Sequence, residues 1–235
     1  MVITQIGSLP YQDIESAVEY SLRHDIPFLP ELLDRKESML NYIKNPGVLV
    51  CLDLFKTRVR GNKTAKVQCV GPATLVVNGN YSASDAVARA RAHIEAILSG
   101  LEVKDIILFL DEPAVNDADF DYLSLWDRIF DGFDVTKGVH CCGRLDWGKV
   151  FKYGKVDVVS FNASKTRIFN YVGYRSGKRI AWGVNAASSV SGYQRGDLIT
   201  PTCGLGMRSV EECERTLERL IAIKDSILGR PEKVI

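Results

Sequence analysis

Short apolar runs alternate with amphipathic segments from one end of this chain to the other, and few folds accommodate that pattern. Eight runs read as strands: residues 2–6, 26–29, 66–70, 105–110, 137–140, 156–161, 179–184 and 197–199. Between them lie helix-favouring segments. Residues 13–24 carry Ile14, Val18 and Leu22 on one stripe, and 35–44 carry Met39, Leu40 and Ile43. Residues 86–98 follow the cap candidates Ser82 and Ser84. Residues 120–130 and the shorter 145–153 come next, and 210–228 opens with Ser209 and Glu212 at capping-box spacing. Eight strands alternating with helices predict a parallel sheet closed into a (β/α)8 TIM barrel, taken as one domain over residues 1–235. The chain is compact for eight units, so some helices must be short. Segment 164–178 is a weak helix, 185–196 a loop, and 48–56 an extra strand or hairpin. A doubly wound open sheet is the alternative, weakened by the lack of a G-x-G-x-x-G after the first strand.

Composition narrows the function. Thirty basic side chains balance 29 acidic ones for a formal net charge of +1, which gives no electrostatic reason to expect nucleic acid or a membrane surface. No apolar stretch approaches the length of a membrane span, and the first residues have neither the basic start nor the apolar run of a signal peptide. Six cysteines, two of them adjacent, do not resemble the spaced framework of a small secreted domain. Reduced thiols in the cytoplasm are expected.

In a barrel of this kind, chemistry sits at the carboxyl ends of the strands. Polar and special residues gather there: Gly7 and Ser8, Glu31, Gly71-Pro72, Asp111-Glu112-Pro113, His140 and Cys142, Asn162, Asn185, then Cys203. His140, Cys142 and Cys203 offer one imidazole and two thiolates, a donor set suited to zinc. A zinc so held binds a thiol and lowers its pKa, making a nucleophile at neutral pH. The plainer reading makes all three packed core residues.

Five motifs in order resemble the catalytic domain of cobalamin-independent methionine synthase. They also resemble its superfamily neighbours, the uroporphyrinogen decarboxylases and the methylcobalamin:coenzyme M methyltransferases. The motifs are Ile6-Gly7-Ser8-Leu9-Pro10, Gly71-Pro72-Ala73-Thr74-Leu75, Asp111-Glu112-Pro113-Ala114, His140-x-Cys142-Gly143 and Cys203-Gly204-Leu205-x-x-Arg208. The resemblance implies that His140, Cys142 and Cys203 are zinc ligands. It places Ile6 and Ser8 at the carboxylate end of an amino-acid substrate, and Asp111, as the catalytic-site carboxylate, on its ammonium. Asp117 and Glu31 are further acidic contacts. Zinc on the thiol and carboxylates on the ammonium together describe homocysteine.

Departures from the pattern bear on the methyl donor. Asn162 stands where the family has a Glu ligand, so water, Cys141 or substrate is left for the fourth position. The loop Gly183-Val184-Asn185-Ala186-Ala187-Ser188-Ser189 lacks the His that protonates a folate leaving group. The aromatic of the folate pocket is replaced near Asn78, and the N-terminal half of the long methionine synthases is absent. The expected reaction is therefore thiol methylation from a non-folate donor such as a methylated corrinoid, with a corrinoid protein as possible partner. The H-x-C-G form also resembles that of the corrinoid-dependent enzymes. A uroporphyrinogen decarboxylase-like enzyme and a non-catalytic, small-molecule-binding barrel are the alternatives. The first would want an Arg near the N-terminus, and residues 1–10 have none.

Several residues have plainer readings. Asp111 and Glu112 could cap their loop, and Asp117 could belong to a helix start with Asp119 and Asp121. Cys141 should point away from His140 and Cys142 by strand alternation. His24 and His93 read as surface residues on helices, and Cys51, Cys69 and Cys213 as core. Arg208 reads as a structural or anion contact. The basic run 56–66 (Lys56, Arg58, Arg60, Lys63, Lys66) reads as a solvated loop, with docking of an acidic partner as its other role.

Overall fold

The computed structural model describes residues 1–229. Its strands are β1 (Val2–Ile3), β2 (Ser8–Leu9), β3 (Glu31–Leu32), β4 (Thr64–Val70), β5 (Asp105–Asp111), β6 (Thr136–Cys141), β7 (Val158–Asn162), β8 (Arg179–Gly183) and β9 (Leu198–Thr200). Its helices are α1 (Ile14–Leu22), α2 (Met39–Tyr42), α3 (Leu52–Val59), α4 (Pro72–Gly79), α5 (Ala83–Leu98), α6 (Tyr122–Phe130), α7 (Trp147–Lys152) and α8 (Val210–Leu228). Seven strands form one parallel sheet in the order β1-β9-β8-β7-β6-β5-β4. β2 and β3 make a separate parallel pair, with Ser8 opposite Glu31.

The expected closed ring of eight strands is corrected to a curled, seven-stranded parallel sheet, a partial TIM-like barrel. The missing strand is residues 26–29. It makes a single bridge, Phe28 to Lys66. The Leu29 N–H donates to Lys66 O at 2.9 Å and the Lys66 N–H to Pro27 O at 2.8 Å, while on the other side the Ile26 N–H donates to Ile3 O at 3.1 Å. Pro27 has no N–H to give a ladder, and Pro30 ends the extended run.

Local chemistry explains the helices. Asp13, Ser82, Asp121 and Asp146 each accept a backbone N–H at a helix start. Ser209 and Glu212 close the expected capping box on α8. Segment 48–56 is neither strand nor hairpin. Leu52, Phe55 and Val59 are buried at helical spacing on α3, while Val48 and Val50 are exposed. Segment 164–178 holds one 3-10 turn, Ile168–Asn170, and 185–196 another, Ala187–Ser189.

The two faces of the sheet bury different things. Outward positions, among them Leu108, Leu110, Val139, Cys141, Val159 and Phe161, pack with the helices in the main core. Inward positions form a small apolar plug of Ile26, Ile107, Phe109, Val158, Ala181 and Leu198. Strand alternation then sets what lies above the plug. Two residues on from Phe109 is Asp111, two on from Gly138 is His140, and two on from Val158 is Ser160. Asp111 is in register with His140, and His140 with Ser160. Gly138 leaves room for the Phe109 ring, whose atoms lie 2.8 Å from where a Cβ would sit. The plug thus raises a layer of buried polar side chains to the carboxyl ends of the strands. Among the described residues, no helix is long and apolar enough to cross a membrane.

Candidate metal centre

His140, Cys142 and Cys203 come together at that end. One ligand atom from each lies within 4.8 Å of the other two, and among the described residues this is the group of three or more metal-ligating side chains. His140 is 3% exposed. Its Nδ1 contacts Ser160 Oγ at 2.9 Å, which leaves Nε2 buried without a partner. An imidazole nitrogen stripped of water and given no hydrogen bond is costly unless something else occupies its lone pair. The Cys142 and Cys203 Sγ atoms are 3.9 Å apart and both are free thiols. The neighbouring Cys142 and His140 draw the Cys203 thiol down in pKa to about 4, while contact with Cys203 and burial push Cys142 up. One nitrogen and two sulfurs fit zinc, with a fourth position that no other side chain among the described residues takes.

The residues beside the triad do not fill that position. Asn162 Oδ1 already accepts from Ser164 N at 3.0 Å and from Ser164 Oγ at 2.6 Å. Cys141 faces the helices, fully buried in the main core. The Cys203 loop is held by Ser8. The Leu205 N–H donates to Ser8 O at 2.9 Å, the Gly206 N–H reaches Ser8 Oγ at 3.4 Å, and a Cβ on Gly204 would sit 2.1 Å from Ser8 Oγ.

A buried carboxylate pair adjoins the triad. Asp111 is 5% exposed and its Oδ1 has no partner. Burial pushes its pKa up to about 6, against the pull of His140 and Lys66. Glu31, pushed up to about 8 by burial and by Asp111, accepts from Gln68 Nε2 at 2.9 Å. Gln68 in turn accepts from Lys66 Nζ at 2.9 Å, and Lys66 also donates to Ile6 O at 2.8 Å. Burial lowers Lys66 to about 8.

Glu112, next to Asp111, is structural. It accepts from Ala73 N, Thr74 N, Thr74 Oγ1 and Trp126 Nε1 at 3.1, 2.7, 2.7 and 2.8 Å. A Cβ on Gly71 would lie 2.1 Å from its Cδ. The Gly71-Pro72-Ala73-Thr74 and Asp111-Glu112-Pro113 motifs are therefore two halves of one joint.

Other expected residues are placed as follows. Ile6 is buried, and its carbonyl anchors Lys66. Asp117 is exposed on a 3-10 turn after β5, where Asn116 Nδ2 donates to it at 3.4 Å. Arg208 is exposed and pairs with Glu212 at 3.7 Å. His24 and His93 are not surface residues. His24 is buried against Tyr20 and Phe28, and His93 stacks on Tyr42 with centroids 4.5 Å apart while accepting the Gly47 N–H. The basic run 56–66 is not one solvated loop: Lys56 and Arg58 lie on α3, and Lys66 is buried on β4. Gln68 and Ser160 were not singled out from the sequence, and Lys66 was read only as part of the basic run. Lys66 and Gln68 sit two apart in an apolar strand, the spacing that marks one face.

No protein-family model matches the sequence, and no curated protein matches it. Among solved structures, the chain is similar to a B12-independent methionine synthase from Shewanella sp. W3-18-1, determined in complex with selenomethionine. The TM-score is 0.53 at 17% identity, covering 76% of this chain and 66% of that one. The chain thus spans about two thirds of the length of that structure. The likeness shows a shared α/β architecture with a curled parallel sheet.

Proposed function

We propose that this chain is a zinc-dependent thiol S-methyltransferase that methylates homocysteine or a closely similar amino-acid thiol from a non-folate donor, such as a methylated corrinoid delivered by a corrinoid protein. The observation that carries the reading is the buried, unpartnered His140 Nε2 beside two free thiols, with no fourth ligand among the described residues. His140, Cys142 and Cys203 would hold the metal. Zinc would supply a Lewis acid that lowers the pKa of the substrate thiol. An open position distinguishes a catalytic site from a closed structural one, and Asn162 keeps it open because its oxygen is engaged by Ser164.

The chain's own residues bind the rest of the substrate. Asp111 and Glu31 are buried carboxyls suited to receive an ammonium, whose charge would favour their ionised forms. Gln68 holds Glu31 in place, and Lys66 holds Gln68. In the transfer, the sulfur pair forms the S–CH3 bond as the methyl–donor bond breaks, its electrons staying with the donor. His24 and His93 are packed away from the triad in side-chain layers of their own, so no histidine besides His140 serves the site. A donor that leaves without taking a proton suits such a site. Six free cysteines agree with a reducing, cytoplasmic setting.

The test is zinc content, followed by turnover. Near one zinc per chain is expected, lost in His140→Ala and in Cys203→Ser, with methyl transfer from methylcobalamin to homocysteine. A wild-type chain that takes up no zinc on loading overturns the mechanism. Efficient turnover with methyl-tetrahydrofolate overturns the choice of donor.

A further inference from the structure

A cavity of about 990 Å3 opens on the loops that follow β6 and β7. Cys142 lines it, so the cavity and the triad share a wall. Arg144, Lys165 and Arg167 line it too. None of these three forms an ion pair among the described residues. The acid in the wall is Asp146, which accepts from Lys149 N at the start of α7. Leu145 and Trp147, both buried, also line it. Three cations without ion-pair partners fit a ligand with an anionic group.

We propose that this cavity is the methyl-donor site and that Arg144, Lys165 and Arg167 hold the donor by an anionic group, a phosphate or a carboxylate. The proposal rests on the methyltransferase reading above and adds the chemistry of the second substrate. Guanidinium groups match both anions with paired N–H donors. The volume falls within the range of about 300–1,000 Å3 typical of small-molecule sites, and a concave pocket suits a small molecule better than a protein face. The shared Cys142 wall brings an occupant to the triad, as transfer to a sulfur held there requires. The other cavity touching the triad, about 400 Å3 beside Cys203, is smaller, and its Arg208 is paired with Glu212.

The experiment is calorimetric titration of the zinc-loaded chain with three probes: inorganic pyrophosphate, glutarate and a long polyglutamate. One of the two small probes is expected to bind at one site per chain, and which one tells phosphate from carboxylate. The Arg144→Gln/Arg167→Gln double variant should bind it at least tenfold more weakly while keeping its zinc and its melting temperature. In turnover, the variant's KM for donor should rise at least tenfold with the KM for homocysteine unchanged. No binding of either small probe, equal binding by the variant, or binding of the long polymer alone overturns the proposal, the last pointing to an acidic protein instead. A rise in the homocysteine KM rather than the donor KM also overturns it. If the chain takes no zinc yet the variant still loses the probe, the anion site stands and the methyltransferase reading falls with its donor.

Discussion

Replacing Ser160 by Ala tests the metal centre without touching a ligand. Ser160 is fully buried on β7, and its Oγ, 2.9 Å from His140 Nδ1, is the one partner of that ring. A metal on Nε2 requires the proton on Nδ1, so the Ser160 oxygen fixes both the tautomer and the ring orientation. Loss of such a partner weakens metal binding by about 10–100-fold, or about 1.4–2.7 kcal/mol. It also leaves a buried Nδ1–H unpaired, which destabilises the apo chain by about 1–3 kcal/mol. Competition against a chromophoric zinc chelator measures the first effect and urea unfolding the second. Cys141→Ala is the control. That thiol is one residue from both His140 and Cys142 but faces the main core, so its loss should leave zinc affinity within about threefold of wild type. If Ser160→Ala holds zinc as tightly as wild type, Nε2 is not the ligating atom and the reasoning fails.

Glu31 predicts a pH dependence. Its pKa is raised from 4.5 to about 8 in the folded chain, so between those values the folded state holds a proton that the unfolded state has released. Stability from this group is therefore lost as pH rises through that window. Glu31→Gln cannot titrate, and its urea midpoint should gain on wild type from about pH 5 to about pH 8.5; a constant difference would count against the buried carboxylate pair. Gly71→Ala should cost about 3 kcal/mol or more, because the new methyl meets Glu112 and disrupts its four hydrogen bonds. A urea midpoint equivalent to a loss under about 1 kcal/mol would show that the joint yields. Gly204→Ala should weaken zinc binding by about tenfold or more, as the methyl collides with Ser8 Oγ and shifts the neighbouring Cys203, and Ser8→Gly in the same chain should restore it. Wild-type zinc affinity in the single variant would mean that Ser8 does not set the Cys203 loop.

Seven of the eight expected strands appear in the sheet because strands buried on both faces must be apolar throughout, and such runs stand out between helices. The eighth run was equally apolar, but Pro27 and Pro30, visible in the sequence, deny it a ladder. His93 was misread by residue type. It lies on the stripe Ala86, Ala90, His93, Ile97, whose steps of four, three and four mark the buried face of α5. Lys66 was misread because it ends a run of exposed cations. Only the start of β4 at Thr64 turns it inward, onto the same face as Gln68. Ser160 carried no signal of its own, since a hydroxyl in a strand gains its meaning from the residue in register with it, here His140.

The triad itself depends on a property no local pattern contains. His140 lies on β6 and Cys142 one residue past its end, so the strand's alternation, carried one step further, puts both on one face. Cys203 follows β9, which lies three strands from β6 in the sheet order. In a flat sheet, three steps of about 4.8 Å would hold those strands about 14 Å apart, too far for the side chains to meet. The ligand atoms nevertheless lie within 4.8 Å of one another. A sheet curled toward its own interior does this, so the cluster and the strand order together argue against the open, doubly wound alternative. The same curl makes a small interior cross-section, which is why Gly138 has to yield its Cβ space to Phe109 directly below His140. Widening that floor would spread β5 and β6 and draw His140 away from Cys203, so the apolar plug and the metal site stand or fall together.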